Sequence, residues 1–178
     1  KAGAAVTYYG DGSNLTGISG GVTSDGSQNT VGGSNAGDSI VSGGTENTVF
    51  GYNAGTAIST GDNNTFFGSR SGRSFSTTVN NTGVGYNVMG NASGTGNAAV
   101  GRDAGNGMGD GINHCAIGFA AFANTNQIGT QQNNIVIGYL ADVSGSTVSN
   151  EITLGNANIT KFRIPGLNFY NDAGRLLI

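Results

Sequence analysis

Few residues in this chain are of types that do chemistry, and their placement decides how they are read. The ten acids are Asp11, Asp25, Asp38, Glu46, Asp62, Asp103, Asp110, Asp142, Glu151 and Asp172, scattered mostly among Gly, Ser and Asn. Glycan hydrolysis needs two carboxylates flanking one bond, whereas scattered acids of this kind are ordinary turn formers. The single histidine, His114, adjoins the single cysteine, Cys115. No His, Cys and Asp cluster has metal-ligand spacing, so no catalytic residue, metal or cofactor is expected, and a lone Cys115 forms no internal disulfide. Four aromatic residues, Tyr52, Tyr86, Phe119 and Tyr139, each follow a glycine. Exposed, they could stack on the sugar rings of a surface glycan. Packing at a corner of the fold is the favoured reading, which leaves them weak binding candidates.

The elements that position these residues emerge from a repeat. Asn47-Thr48-Val49-Phe50-Gly51-Tyr52-Asn53-Ala54-Gly55 returns as Asn64 to Gly72 and as Asn97 to Gly105, with looser copies elsewhere. The anchor glycines are Gly33, Gly51, Gly68, Gly85, Gly101, Gly118, Gly138 and Gly155, and the numbers of neighbouring anchors differ by 18, 17, 17, 16, 17, 20 and 17. Such a step marks a stacked array in which every unit does the same job. With 34 glycines in 178 residues, one proline and only 10% charged residues, the composition departs from an ordinary domain, in which about a quarter are charged. Glycine without a three-residue period excludes collagen, and regularly placed Val, Ile and Phe argue against disorder. The expected fold is all-β: a parallel β-solenoid of about eight coils, with about 17 residues to the coil.

Residues 1–27 read as an N-terminal strand (Ala4 to Tyr9), a Gly10 to Asn14 turn and an entry loop. That turn lacks the spaced carboxylates of a calcium loop. The array spans 28–160, and 161–178 reads as a cap or exit segment containing the only proline, Pro165. Within each unit, side chains of a strand alternate between two faces. The residues one and three before the anchor (Phe50, Phe67, Val84, Val100, Ile117, Ile137, Leu154; Thr30, Thr48, Thr65, Thr82, Ala98, Cys115, Ile135, Ile152) are expected to fill the coil, with Cys115 a small core residue. On that reading a threonine ladder is internal, and an ice-binding face is excluded. The intervening column, Val31, Val49, Phe66, Ala99, Ala116 and Val136 with Gly83 and Thr153, then faces outward although still mainly apolar. An outward apolar face needs a partner, and a second copy of the chain is the economical one; this column is the expected seam of a homo-oligomer. Four before the anchor, Asn29, Asn47, Asn64, Asn81, Asn97 and Asn134, with His114 and Glu151, form a column suited to an amide ladder.

The unit Asn113-His114-Cys115-Ala116-Ile117-Gly118 resembles the Asn-Ser-Val-Ala-Ile-Gly repeat of YadA-type trimeric adhesin heads. The resemblance implies a left-handed parallel β-roll assembled as a side-by-side homotrimer. Tyr8 to Ile18 resembles a segment recurrent in fibre proteins of marine bacteriophages, and Glu151 to Asn156 through Ile164-Pro165-Gly166 resembles the stretch that precedes a self-cleaving C-terminal chaperone domain in phage fibres. These resemblances imply a structural and adhesive segment of a trimeric virion fibre, extracellular, whose partners are other virion proteins and a bacterial surface receptor such as a glycan. A bacterial trimeric autotransporter head and a glycan-cleaving tailspike are the alternatives. A net charge of −3 offers no footprint for nucleic acid, and no apolar run approaches the roughly 20 residues of a membrane helix.

Overall fold

A computed structural model of the chain describes residues 22–24, 27–40, 43–124, 131–161 and 163. The strand and turn expected at 4–14, and nearly all of the expected exit segment, lie outside the described residues. Among the described residues nine three-residue strands make one sheet in sequence order. They are β1 (Val22–Ser24), β2 (Thr30–Gly32), β3 (Thr48–Phe50), β4 (Thr65–Phe67), β5 (Thr82–Val84), β6 (Ala98–Val100), β7 (Cys115–Ile117), β8 (Ile135–Ile137) and β9 (Ile152–Leu154). From β2 onward each pairs in parallel with the next, in register along the repeat columns, so Thr48 meets Thr65 and Phe50 meets Phe67. Eight parallel strands, one to each repeat, wind a β-solenoid of about seven turns, one fewer than the eight coils expected. The first strand is different. The stretch read as an entry loop contains β1, which runs antiparallel to β2 with Thr23 opposite Val31 and closes the N-terminal edge of the sheet.

Each turn is bent by residues in left-handed backbone conformations. The residue just before the ladder column has φ near +60°, as at Glu46, Asn63, Asn80, Asn113, Asn133 and Asn150. Asparagine accepts that region more readily than other non-glycine residues. The anchor itself needs glycine: Gly51 has φ +135°, and a Cβ there would stand 2.6 Å from the carbonyl oxygen of Gly68 on the next rung. Backbone bonds join successive rungs around the whole coil, for instance Gly68 N to Phe50 O, Arg70 N to Tyr52 O and Gly72 N to Val88 O.

The faces of the strands are the reverse of the expected assignment. In β3, β4, β6, β7 and β8 the middle residue is buried and the two flanking residues are partly or fully exposed. Val49, Phe66, Ala99, Ala116 and Val136, expected at a seam, lie fully inside the coil, and Val31 packs half-buried against the same core. They meet the small column Ala54, Ser71, Val88, Ala104, Ala121 and Ala141 and the fillers Ile58, Phe75, Met89, Met108 and Phe122. The reason is volume. A coil this narrow admits one strand side chain per rung, and the middle column holds the small residues Gly83, Ala99 and Ala116. Where Gly83 leaves space, Met89, Phe66 and Val88 surround it at 3.0–3.2 Å from the position of a Cβ.

Candidate functional site

Because the interior is filled by the middle column, the residues one and three before each anchor form the outer face of the sheet. Phe50, Phe67, Val84, Val100, Ile117, Ile137 and Leu154 are 37–52% exposed, on rungs about 4.8 Å apart. Phe50 and Phe67 stack with ring centroids 5.2 Å apart and planes at 10°, and Phe50 lies over Gly32, where any side chain would collide with its ring. Beside them run Thr48, Thr82 and Ala98, exposed, and Thr65, Cys115 and Ile135, half-buried. Cys115 is therefore a residue of the outer face and not of the core. The threonine ladder is external too, so parity does not exclude ice binding. What opposes that reading is the company the threonines keep: bulky Phe50 and Phe67 interrupt the hydroxyl array, which gives way to Ile135 and Ile152. The outer face is apolar.

The four aromatic residues that follow anchors are exposed by 40–62% at the rim of this face. Three of them have a ring face already engaged. Phe119 stacks on Tyr139 at 5.5 Å, and the guanidinium of Arg102 sits between Tyr86 and Phe119, 5.8 and 5.3 Å from their centroids. Tyr86, Phe119 and Tyr139 therefore offer less open ring surface to a neutral sugar than their exposure alone suggests.

On the opposite parity the asparagines are buried, and each bonds to the next. Asn47 donates from its backbone N (2.9 Å) and from Nδ2 (3.0 Å) to Asn29 Oδ1, and from Nδ2 to Gly61 O (2.8 Å). Asn64 repeats the pattern on Asn47 and on Thr78 O, and Asn81 continues it on Asn64. Asn97 N donates to Asn81 Oδ1, and Asn97 Oδ1 accepts from His114 N. His114 acts as a rung of this ladder: its Nδ1 accepts from Asn134 N at 3.1 Å. Its Nε2 has no hydrogen-bond partner among the described residues, and its ring lies edge-on to Phe122 at 5.0 Å. Desolvation pushes its pKa down to about 4, as burial does to any cation. Glu151 closes the ladder on Asn134 Oδ1. The Ser144 hydroxyl, with help from Thr153 and the Ser144 N–H, holds its carboxyl below the usual range against the opposing effect of burial.

Four further carboxylates serve turns. Asp62 accepts from Thr45 N and Oγ1, Asp110 from Ser93, Asp142 from Asn124 N and Val143 N, and Asp103 from Asn87 Nδ2 and Arg102 Nε. Among the described residues no three His, Cys, Asp or Glu side chains group to hold a metal, and no helix is long and apolar enough to cross a membrane. No family model, curated protein or solved structure matches the chain.

Proposed function

We propose that the chain is a structural and adhesive segment of a trimeric fibre, three left-handed β-rolls lying side by side, as in a viral tail or capsid fibre. One observation carries this reading: an uninterrupted apolar outer face runs from Phe50 to Leu154 on a coil whose interior is already filled by other residues. Soluble monomers rarely expose apolar strips that long, and a narrow coil has little core of its own. A second copy of the same face is the surface that matches it rung for rung. The seam is then Phe50, Phe67, Val84, Val100, Ile117, Ile137 and Leu154 in place of the middle column. With seven steps of about 4.8 Å, the strands span about 34 Å of stiff rod. The rod separates whatever lies at its two ends, and its turns present polar surface outward. A bacterial adhesin head has the same architecture and is the second reading, on the strength of the Asn113 to Gly118 resemblance. A glycan-cleaving spike is disfavoured because Asp62, Asp103, Asp110, Asp142 and Glu151 are each engaged by turn or ladder groups. The test is Phe67→Glu/Val100→Glu, which places charge on the seam without touching the interior. Sedimentation velocity is expected to show a trimer for the parent chain and a folded monomer for the variant. A variant that keeps the parent's mass overturns the assignment of the seam.

A further inference from the structure

Two guanidinium groups converge on one tyrosine at the rim of the outer face. Arg102 is clamped between Tyr86 and Phe119, with its guanidinium carbon 5.8 and 5.3 Å from their centroids. Phe119 is itself backed by Tyr139. From the preceding side Arg70 Nη1 reaches to 3.5 Å from the Tyr86 hydroxyl. Among the described residues only one carboxylate answers these two charges. Asp103 Oδ2 lies 3.1 Å from Arg102 Nε, while its other oxygen accepts from Asn87 Nδ2 at 2.8 Å. The Arg102 side chain is 61% exposed, and its terminal nitrogens have no protein partner among the described residues. Bringing like charges together opposes folding unless an anion joins them. The ring sandwich on Arg102 also holds its planar fork in place before any ligand arrives.

From this geometry we propose that Arg70, Tyr86 and Arg102 bind an acidic sugar of a surface polysaccharide lying along the solenoid axis. The inference deepens the adhesive reading above and rests on it. Planar forks suit carboxylate, sulfate or phosphate groups, which they grip through paired charge-assisted bonds. The strip continues from Tyr86 through Phe119 to Tyr139, three rungs or about 14 Å, as an open rim and not a closed pocket. An open linear strip with tyrosine hydroxyls at its edge fits a hydroxyl-rich polymer better than a small molecule. The rings of Tyr86, Phe119 and Tyr139 already have a guanidinium or a ring on at least one face, so the anion is the main element of recognition. Two cations on a chain of net charge −3 are also too few to draw a nucleic acid, whose binding scales with the number of phosphates neutralised.

The test measures binding of the intact chain to immobilised polygalacturonate, dextran sulfate and neutral dextran by biolayer interferometry. Binding is expected to at least one acidic polymer and not to dextran, and the preferred polymer tells carboxylate from sulfate. Arg70→Gln/Arg102→Gln is expected to weaken that binding at least about tenfold. Arg102→Lys, which keeps the charge and loses the fork, should fall between. Arg73→Gln is the control, because Arg73 already spends its donors on Gly90 O and Asn91 Oδ1; it should bind like the parent. Failure to bind either acidic polymer, equal binding to dextran or to double-stranded DNA, or full retention in the double variant overturns the proposal. If the parent is meanwhile still a trimer, the fibre reading stands and only the ligand assignment falls.

Discussion

Replacing Asn64 by alanine removes a whole link of the internal ladder. Its amide donates to Asn47 Oδ1 at 3.1 Å and to Thr78 O at 2.9 Å, while its Oδ1 accepts from Asn81 N at 3.1 Å and from Asn81 Nδ2 at 3.0 Å. Truncation strands two backbone groups, the Asn81 N–H and the Thr78 carbonyl, which have no other bond to turn to. Asn81 Nδ2 keeps Val79 O, and Asn47 Oδ1 keeps the Asn64 N–H. A buried polar group left unpaired costs about 1–3 kcal/mol; the Asn81 N–H is buried and the Thr78 carbonyl only partly so, so the loss is about 3 kcal/mol. For a chain of 178 residues that corresponds to a melting point lower by about 6–12 °C. Thermal melts at matched protein concentration read it, because assembly would couple stability to concentration. Asn64→Asp sharpens the test. Its carboxylate cannot donate to Asn47 Oδ1 or Thr78 O, so its folded-state pKa must rise above the unfolded value. Stability is then greatest below the unfolded carboxyl pKa of about 3.9 and declines as pH rises toward the folded value. Asn64→Ala costing less than about 1 kcal/mol, or Asn64→Asp showing no gain on acidification, would refute the ladder as a source of stability.

The reversed faces predict a contrast between neighbours: Phe66→Ala should cost about 3–5 kcal/mol, whereas Phe67→Ala should leave the coil's circular dichroism intact and weaken association. Equal effects on both measurements would contradict the burial of Phe66 and exposure of Phe67. His114 prefers its neutral form in the folded chain, with a pKa lowered from 6.5 to about 4. Its full contribution is therefore present above pH 6.5 and falls as pH drops toward 4, by about 3 kcal/mol in all. His114→Asn should flatten that part of the denaturation profile, and a variant as acid-sensitive as the parent contradicts it. Cys115, half-buried on the outer face, should meet its counterparts in a parallel assembly. Mild oxidation followed by non-reducing electrophoresis is expected to yield disulfide-linked dimers, and only monomers would argue against copies aligned in register.

Much of the fold was legible from spacing alone. The steps between Gly33 and Gly155 located every parallel strand, because a rung cannot close without an anchor that tolerates φ near +130°. The asparagine column was legible for a related reason: a buried amide that both donates and accepts can repeat along a stack, and few other side chains can. The orientation of the strands was not. Both faces are apolar, so alternation alone could not tell inside from outside, and the bulkier column was assigned to the interior. Residue size carries part of the missing signal: with Gly83, Ala99 and Ala116 the middle column is on average the smaller of the two, although the coil also takes Phe66 beside Phe75. Asn47 and Val49 also share parity, so a buried amide ladder obliges the middle column to be buried with it. The antiparallel β1 left no mark, since Val22–Ser24 sits among glycine and serine without an apolar pattern. Nor does the ribbon of Tyr86, Arg102 and Phe119 appear in the sequence as a unit. Its members belong to three successive repeats, and only the stacking of rungs makes them neighbours.

Light scattering after size exclusion, on the unmodified protein at neutral pH, tests directly whether identical chains cover the outer apolar face. The expected mass is three times the 17.7 kDa of one chain. A stable species at 17.7 kDa would contradict it, leaving Phe50, Phe67 and the aliphatic residues beyond them without the partner that their exposure requires.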